Sequence, residues 1–93
     1  MKSVTGKTQI TLPSEFKQII VEVFYGTSSM GYNFNICYKQ LTNSVRQYIQ
    51  GEQASGNNNY CRINVTKGSV ILNSFYTNGS DVSATSTVTV YYM

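Results

Sequence analysis

The alternation of apolar and polar residues is the feature of this sequence that most limits how the chain can fold. Between residues 82 and 92, Val, Ala and Tyr recur at even positions, and Ser or Thr occupies most of the odd ones. A period of two is the spacing at which the side chains of a β-strand point to the same face. The same alternation recurs at residues 32–39 and 60–66, so the sequence predicts a protein built from half-buried strands.

The composition indicates the same class. Val occurs nine times, Ile seven times and Thr ten times, whereas Leu occurs three times and Ala twice. Side chains branched at Cβ pack well on a pleated sheet, while Leu and Ala favour helices. A chain of 93 residues has room for one core of ordinary size. We therefore expect a single all-β domain over residues 1–93.

Turn residues divide the alternating segments into seven or eight strands. The predicted strands cover residues 7–12, 18–25, 32–39, 45–49, 60–66, 69–76 and 82–92. Asn78-Gly79 is the strongest turn signal, because both residues accept positive φ at little steric cost. No segment is long enough for a crossover helix, so we expect antiparallel pairing in a small two-sheet sandwich with a jelly-roll-like arrangement.

Three connecting segments carry further expectations. Residues 26–31 are predicted to form a flexible hairpin loop between two glycines, and residues 51–59 an exposed polar loop. Phe16 is expected to fold back after Pro13 as a hydrophobic plug. Residues 41–49 also have a spacing that fits a short helix, but the all-β context favours a strand there.

The chemistry of common enzymes is poorly represented in this chain. Histidine is absent, which removes the commonest general base and the commonest neutral metal ligand. Glu52 and Asp81 are carboxylates in predicted loops, and their favoured interpretation is as solvated surface charges rather than a glycosidase pair. Cys37 and Cys61 have no histidine to activate them, and free thiols are favoured over a disulfide. We expect a non-enzymatic protein with no cofactor and no metal.

Charge and hydropathy exclude two other classes of partner. Seven Lys and Arg against four Asp and Glu give a net charge of +3, but the cations are scattered singly along the sequence. Nucleic-acid binding usually needs clustered cations, so we do not expect it. The apolar run at residues 19–21 is far shorter than the ~20 residues of a membrane span. Membrane insertion is therefore not expected. The first residues lack the apolar core of a secretory signal, which fits a cytosolic product or a fragment of a longer chain, and the fragment is favoured.

The eight tyrosines, with no tryptophan, are the most telling feature for function. Tyrosine offers a flat apolar face, a hydrogen-bonding tip and little rotamer entropy to lose. Most of these rings are expected to pack against the core or an interface. Four of them lie near predicted loop ends: Tyr25, Tyr48, Tyr60 and Tyr76.

The candidate ligand-binding residues combine two of these tyrosines with the adjacent asparagine triplet. They are Tyr48, Asn57, Asn58, Asn59 and Tyr60, which together are predicted to form a platform for a cell-surface polysaccharide. The alternative use of an exposed aromatic face is a subunit contact, because a small sandwich gains stability by oligomerising. A homo-oligomer is expected, and the residues leave a trimer and a dimer both open.

Several segments resemble a known type of module. They are Leu12-Pro13-Ser14-Glu15-Phe16, the strand at 19–23, Phe34-Asn35-Ile36 and the closing segment at 85–92. Together they resemble the small β-sandwich module that ends tail-fibre, baseplate and head-fibre proteins of bacteriophages infecting Gram-positive bacteria. The similarity covers most of the chain but rests on hydrophobic and turn positions, so it implies a fold and no site residues.

The resemblance implies a receptor-binding module at the tip of a virion fibre, formed by the C-terminal part of a longer chain. Such a module would be made in the host cytoplasm without a signal peptide and would adsorb as a trimer to cell-wall polysaccharide. Two other functions stay open: a purely structural assembly or decoration domain of a virion, and a carbohydrate-binding module of a secreted bacterial protein. A disulfide between Cys37 and Cys61 would favour the last of these.

Overall fold

The computed structural model describes residues 2–12, 15–26, 28–41, 44–50 and 59–93. In these residues the chain is almost entirely β-structure, arranged in two antiparallel sheets that pack against each other. The strands are β1 (Lys2–Gly6), β2 (Gln9–Thr11), β3 (Ile19–Tyr25), β4 (Ser28–Phe34), β5 (Val45–Gln50), β6 (Asn59–Val65), β7 (Ser69–Thr77), β8 (Ser80–Asp81) and β9 (Thr87–Tyr92). The predicted small two-sheet sandwich is therefore confirmed.

The order of the strands joins early and late parts of the chain. The first sheet has the order β1-β9-β3-β4, and the second has the order β2-β7-β6-β5, with the short β8 pairing β7. The pairing of β1 with β9 and of β2 with β7 is nested, as in a jelly-roll-like connection. Strands β3 and β4, like β5 and β6, are neighbours in sequence and in the sheet. Among the described residues, five strands each pair with one neighbour and lie at an edge: β1, β4, β2, β5 and the short β8.

The core lies between the two sheets and follows the alternation of the sequence. In β3, Ile19, Val21 and Val23 are fully buried, whereas the residues between them are partly exposed. The second sheet contributes another fully buried set: Cys61, Ile63, Val65, Val70 and Phe75. Phe16 is 4% exposed and packs into this core, which confirms the predicted plug.

The segment around β4 departs from its sequence-based prediction. Strand β4 starts at Ser28, so most of the loop predicted at 26–31 is strand, and Gly26 turns the chain with a φ of 58°. Strand β4 ends at Phe34, although the alternation continues to residue 39. The alternation there does not produce a strand, because the Tyr38 N–H donates to the backbone oxygen of Phe16 (2.9 Å).

A single turn of 3₁₀ helix, Tyr38–Gln40, takes the place of the predicted strand end. The Cys37 N–H donates to Gln40 Oε1 at 3.0 Å, and the Gln40 N–H donates back to the Cys37 carbonyl oxygen, also at 3.0 Å. These local bonds satisfy backbone groups that a sheet partner would otherwise have to satisfy. The side chain of Tyr38 thus leaves the sheet while still packing against the core.

The long strand predicted at 82–92 is also shorter in the structure. A second 3₁₀ turn, Ser83–Thr85, precedes β9. The Asp81 carboxylate accepts a hydrogen bond from the Ser83 N–H at 3.0 Å, and this bond lowers the pKa of Asp81. The Ser86 hydroxyl donates to the Val82 carbonyl oxygen at 2.8 Å. Side-chain bonds to the backbone therefore bend the chain before it joins the first sheet.

Other predicted elements differ less. The strand predicted at 7–12 is represented by β2, preceded by the separate strand β1. The segment β5 is a strand and not the alternative short helix. Asn78 and Gly79 have φ values of 51° and 84°, which confirms the predicted turn. Of the loop predicted at 51–59, residues 51–58 lie outside the described residues.

Candidate ligand-binding face

The outward side of the second sheet contains the candidate site. Cys61, Ile63 and Val65 of β6 point into the core. Tyr60 and Arg62 occupy the alternate positions and therefore point outward. Strand β5 presents its own outward residues at the edge of the sheet in the same way. The whole surface, which we call the tyrosine face, consists of Arg46, Tyr48, Tyr60, Arg62, Asn64, Asn73 and Tyr76.

Three tyrosine rings form a continuous row across this face. The rings of Tyr60 and Tyr76 are stacked, with centroids 5.1 Å apart and planes inclined by 16°. The ring of Tyr48 follows at 5.6 Å from Tyr60, with an inclination of 30°. Tyr48 is 47% exposed, and the other two rings are half-buried. The row therefore offers a flat aromatic strip across β5, β6 and β7.

Two arginines accompany the tyrosines. The guanidinium carbon of Arg62 lies 5.9 Å from the centre of the Tyr48 ring, within the range of a cation–π contact. Arg62 is paired with Tyr48 across β5 and β6, and Arg46 lies two residues before Tyr48 on the same side of β5. The pairing of the strands thus places on one surface two cations that are 16 positions apart in the sequence.

A shallow groove runs beside the row. Its volume is about 550 Å³, and its lining residues are Arg46, Gln47, Tyr48, Arg62, Asn64 and Asn73. This volume lies within the range of ~300–1,000 Å³ that is typical of ligand sites. Among the described residues no carboxylate lines the groove. The groove therefore presents amide and guanidinium donors, amide acceptors and one aromatic wall.

A β-bulge shapes the far side of the groove. Arg62 pairs with Ser74 and Ile63 pairs with Leu72, so Asn73 is the extra residue on β7. A bulge bends its strand and redirects the side chains beside it. Asn73 is exposed and lines the groove. The bulge thus adds an amide to a position that regular alternation would not supply.

The first sheet presents a different outward surface. Glu22 on β3 and Tyr91 on β9 are diagonal neighbours, because Glu22 pairs with Thr89 and Tyr91 pairs with Ile20. A hydrogen bond to the Glu22 carboxylate, together with its charge, raises the pKa of Tyr91. A carboxylate thus stands among the outward side chains of the first sheet, whereas the groove on the second sheet is lined by cations and amides. The two outward faces differ in charge as well as in shape.

The predicted site residues are distributed as follows. Tyr48 and Tyr60 are brought together by the pairing of β5 with β6. Asn59 is the first residue of β6, paired with Thr77, and alternation places it on the other side of the strand from Tyr60. Asn57 and Asn58 lie outside the described residues.

Other members of the tyrosine face were not selected from the sequence. Arg46 and Arg62 are far apart in the sequence, and only the register of β5 and β6 places them on the same surface. Asn73 lines the groove because of the bulge in β7. The sequence places Tyr76 near a predicted loop end, but its pairing with Tyr60 depends on the β6–β7 register. For the arginines, the one local indication in the sequence is the alternation of β5 and β6, which places both side chains on the outward face of their strands.

The two cysteines do not add a reactive centre to this face. Both are free thiols, and burial raises the pKa of Cys61 to about 12. The disulfide that would favour a secreted module is therefore not formed. Within the described ranges, no three His, Cys, Asp or Glu side chains are grouped in a way that could hold a metal ion. The same residues include no helix that is long and apolar enough to cross a membrane.

No protein-family model matches the chain, and no curated protein or solved structure matches it either.

Proposed function

We propose that this chain is a non-enzymatic attachment module whose tyrosine face binds a cell-surface polysaccharide. The observation that carries the proposal is the row of neighbouring rings on the outward side of a sheet, in which Tyr60 and Tyr76 are stacked and Tyr48 is tilted by 30° against Tyr60. Sugar rings present apolar C–H faces that pack on aromatic rings, and their hydroxyl groups need nearby hydrogen-bonding partners. The amides and guanidinium groups of the groove supply those partners.

The shape of the site favours an extended ligand. The three rings lie on three adjacent strands, and neighbouring strands are about 4.8 Å apart, so the row is about 10 Å long. A strip of this length fits consecutive units of a chain better than one compact molecule. The groove beside it is open, as a polymer with no free end at the site requires. A polysaccharide meets both conditions.

The place of the module in a virion is the second part of the proposal. The resemblance to the terminal modules of phage fibre and baseplate proteins suggests a trimer at a fibre tip, facing the wall of a Gram-positive host. An exposed binding face on a small sandwich is consistent with that position. Such a module needs no catalytic group, and among the described residues the groove contains neither histidine nor carboxylate.

A binding experiment with matched variants tests the proposal. A fluorescent fusion of the chain is titrated onto purified cell-wall polysaccharide from Gram-positive bacteria, together with Tyr48→Ala, Tyr60→Ala and the control Tyr32→Ala. Tyr32 is 38% exposed on β4 of the first sheet, so it matches Tyr48 in exposure but not in position. We expect Tyr48→Ala and Tyr60→Ala to weaken binding at least tenfold and Tyr32→Ala to leave it unchanged. Equal binding by all four proteins would refute the assignment.

An assembly domain is the second candidate, and the same tyrosines favour it. Tyrosine is enriched in protein interfaces, and stacked exposed rings are typical of contact centres. The solution mass measured by light scattering separates the two functions. If the tyrosine face is a subunit contact, Tyr48→Ala lowers the mass of the oligomer. If it binds polysaccharide, the mass is unchanged and only ligand binding is lost.

A further inference from the structure

A second cavity lies at the end of the sandwich where β3 begins and β9 ends. Its volume is about 580 Å³, and its lining residues are Glu15, Phe16, Lys17, Cys37, Tyr38, Lys39 and Met93. Among the described residues, it shares no lining residue with the groove of the tyrosine face. These residues come from three separate segments of the chain, so no local sequence pattern groups them.

Two aromatic rings form the floor of this cavity. The rings of Phe16 and Tyr38 meet edge to face, with centroids 5.7 Å apart and planes at 87°. The hydrogen bond from the Tyr38 N–H to the Phe16 carbonyl oxygen holds the two backbones together. Phe16 is also buried in the core, so the floor is fixed by the packing of the sandwich. Met93 adds a further apolar side chain.

Cations surround this apolar floor. Lys17 and Lys39 line the cavity, and both are exposed. The Lys67 ammonium nitrogen lies 5.1 Å from the centre of the Tyr38 ring. Glu15 is the one carboxylate side chain among the described residues that line the cavity. The side chains at the site thus combine two perpendicular aromatic rings with three lysines and one glutamate.

We propose that this cavity binds a small ligand with a planar apolar body and an anionic group, such as an aryl phosphate or aryl carboxylate. The apolar body packs on Phe16 and Tyr38, and the anion is attracted to Lys17 and Lys39. Ligand sites commonly have this construction, in which apolar walls supply contact area and a few charged groups fix orientation. The inference does not depend on the proposed polysaccharide site.

Cys37 provides a direct reporter for occupancy. Cys37 lines the cavity and is partly exposed, whereas Cys61 is fully buried and its burial raises the pKa of the thiol to about 12. A thiol-modifying reagent at pH 8 therefore labels Cys37 and leaves the buried Cys61 unlabelled. We expect 1-naphthyl phosphate to slow the labelling of Cys37 in a saturable way. Neither 1-naphthol nor inorganic phosphate should match it, and each should need at least tenfold higher concentration.

The variant pair tests the role of the lysines. The double variant Lys17→Ala/Lys39→Ala should raise the dissociation constant of 1-naphthyl phosphate by about tenfold, since an exposed charge contact contributes roughly threefold. The control Lys7→Ala removes an exposed lysine that follows Gly6, whose partner Val88 lies at the opposite end of β9 from Met93, and it should have no effect. NMR shifts of the amides of residues 15–17 and 37–39 give a second readout of the same binding.

Three outcomes would overturn the inference. The first is the absence of both protection of Cys37 and NMR shifts at millimolar 1-naphthyl phosphate. The second is binding of 1-naphthol as tightly as its phosphate, which would remove the role of the anion. The third is an equal loss of affinity in the test and control variants, which would indicate general attraction to a basic protein.

Discussion

Tyr60 and Tyr76 occupy directly paired positions on β6 and β7, and their rings stack 5.1 Å apart. Each ring restricts the rotamers of the other, and both are half-buried. A ligand that packs on them therefore meets a surface that is already ordered, which lowers the entropic cost of binding. This pair connects the fold to the proposed function, because the strand register alone brings the two rings together.

The first prediction concerns the flat surface of this pair. Tyr60→Leu keeps an apolar side chain but removes the ring, so polysaccharide binding should be lost, while the free energy of unfolding falls by only about 1 kcal/mol. Tyr60→Phe keeps the ring and should retain most of the binding. Binding isotherms and urea unfolding of the three proteins check this. If Tyr60→Leu binds like the wild type, stacking has no role.

The second prediction concerns the core. Phe75 is the largest fully buried side chain of the described residues, with 0% exposure. Phe75→Ala should lower the free energy of unfolding by about 3–5 kcal/mol, because it removes apolar contact and leaves a cavity. Urea denaturation monitored by circular dichroism measures the loss. The exposed Tyr48→Ala should cost less than about 1 kcal/mol, and a similar loss for both would contradict the described packing.

The third prediction concerns the turn between β7 and β8. Gly79 has a φ of 84°, which a residue with a Cβ adopts only with strain. Gly79→Ala should therefore destabilise the protein by about 1–2 kcal/mol. Gly68 is the control, because its added Cβ would meet no atom within 4 Å and its φ lies outside the positive region. Gly68→Ala should be close to neutral in thermal unfolding, and equal losses would show that the turn conformation is not the cause.

The fourth prediction concerns pH. Burial raises the pKa of Cys61 to about 12, so the unfolded chain loses this proton at a lower pH than the folded protein does. Stability from the buried neutral thiol is complete below about pH 8.5 and is lost as the pH rises toward 12. The slope from this group reaches about 1.4 kcal/mol per pH unit.

Comparison with Cys61→Ala isolates this effect from the titration of Lys and Tyr. The free energy of unfolding of the wild type should fall more steeply between pH 9 and pH 11 than that of the variant. Cys37→Ala serves as the control, since Cys37 is only partly buried, and it should keep the slope of the wild type. Parallel curves for the wild type and Cys61→Ala would show that Cys61 does not contribute.

The sequence by itself determined the fold class and much of the core. A period of two is a local property, so the inward positions of β3, β6 and β9 could be assigned without knowing their partners. The burial of Cys61 and Phe16 and the turn at Asn78-Gly79 followed from the same local pattern and from turn chemistry. These features depend on neighbouring residues alone, and for that reason the sequence predicts them.

The tertiary structure decided where strands end and which side chains share a surface. Tyr38 leaves the alternating pattern because its N–H bonds to Phe16, a residue 22 positions earlier in the chain. Arg62 lies beside Tyr48 because β5 pairs with β6 in one register and no other. Pairing between distant segments depends on the whole core, and local alternation contains no information about register. Both candidate binding sites therefore emerge only once the sheets have formed.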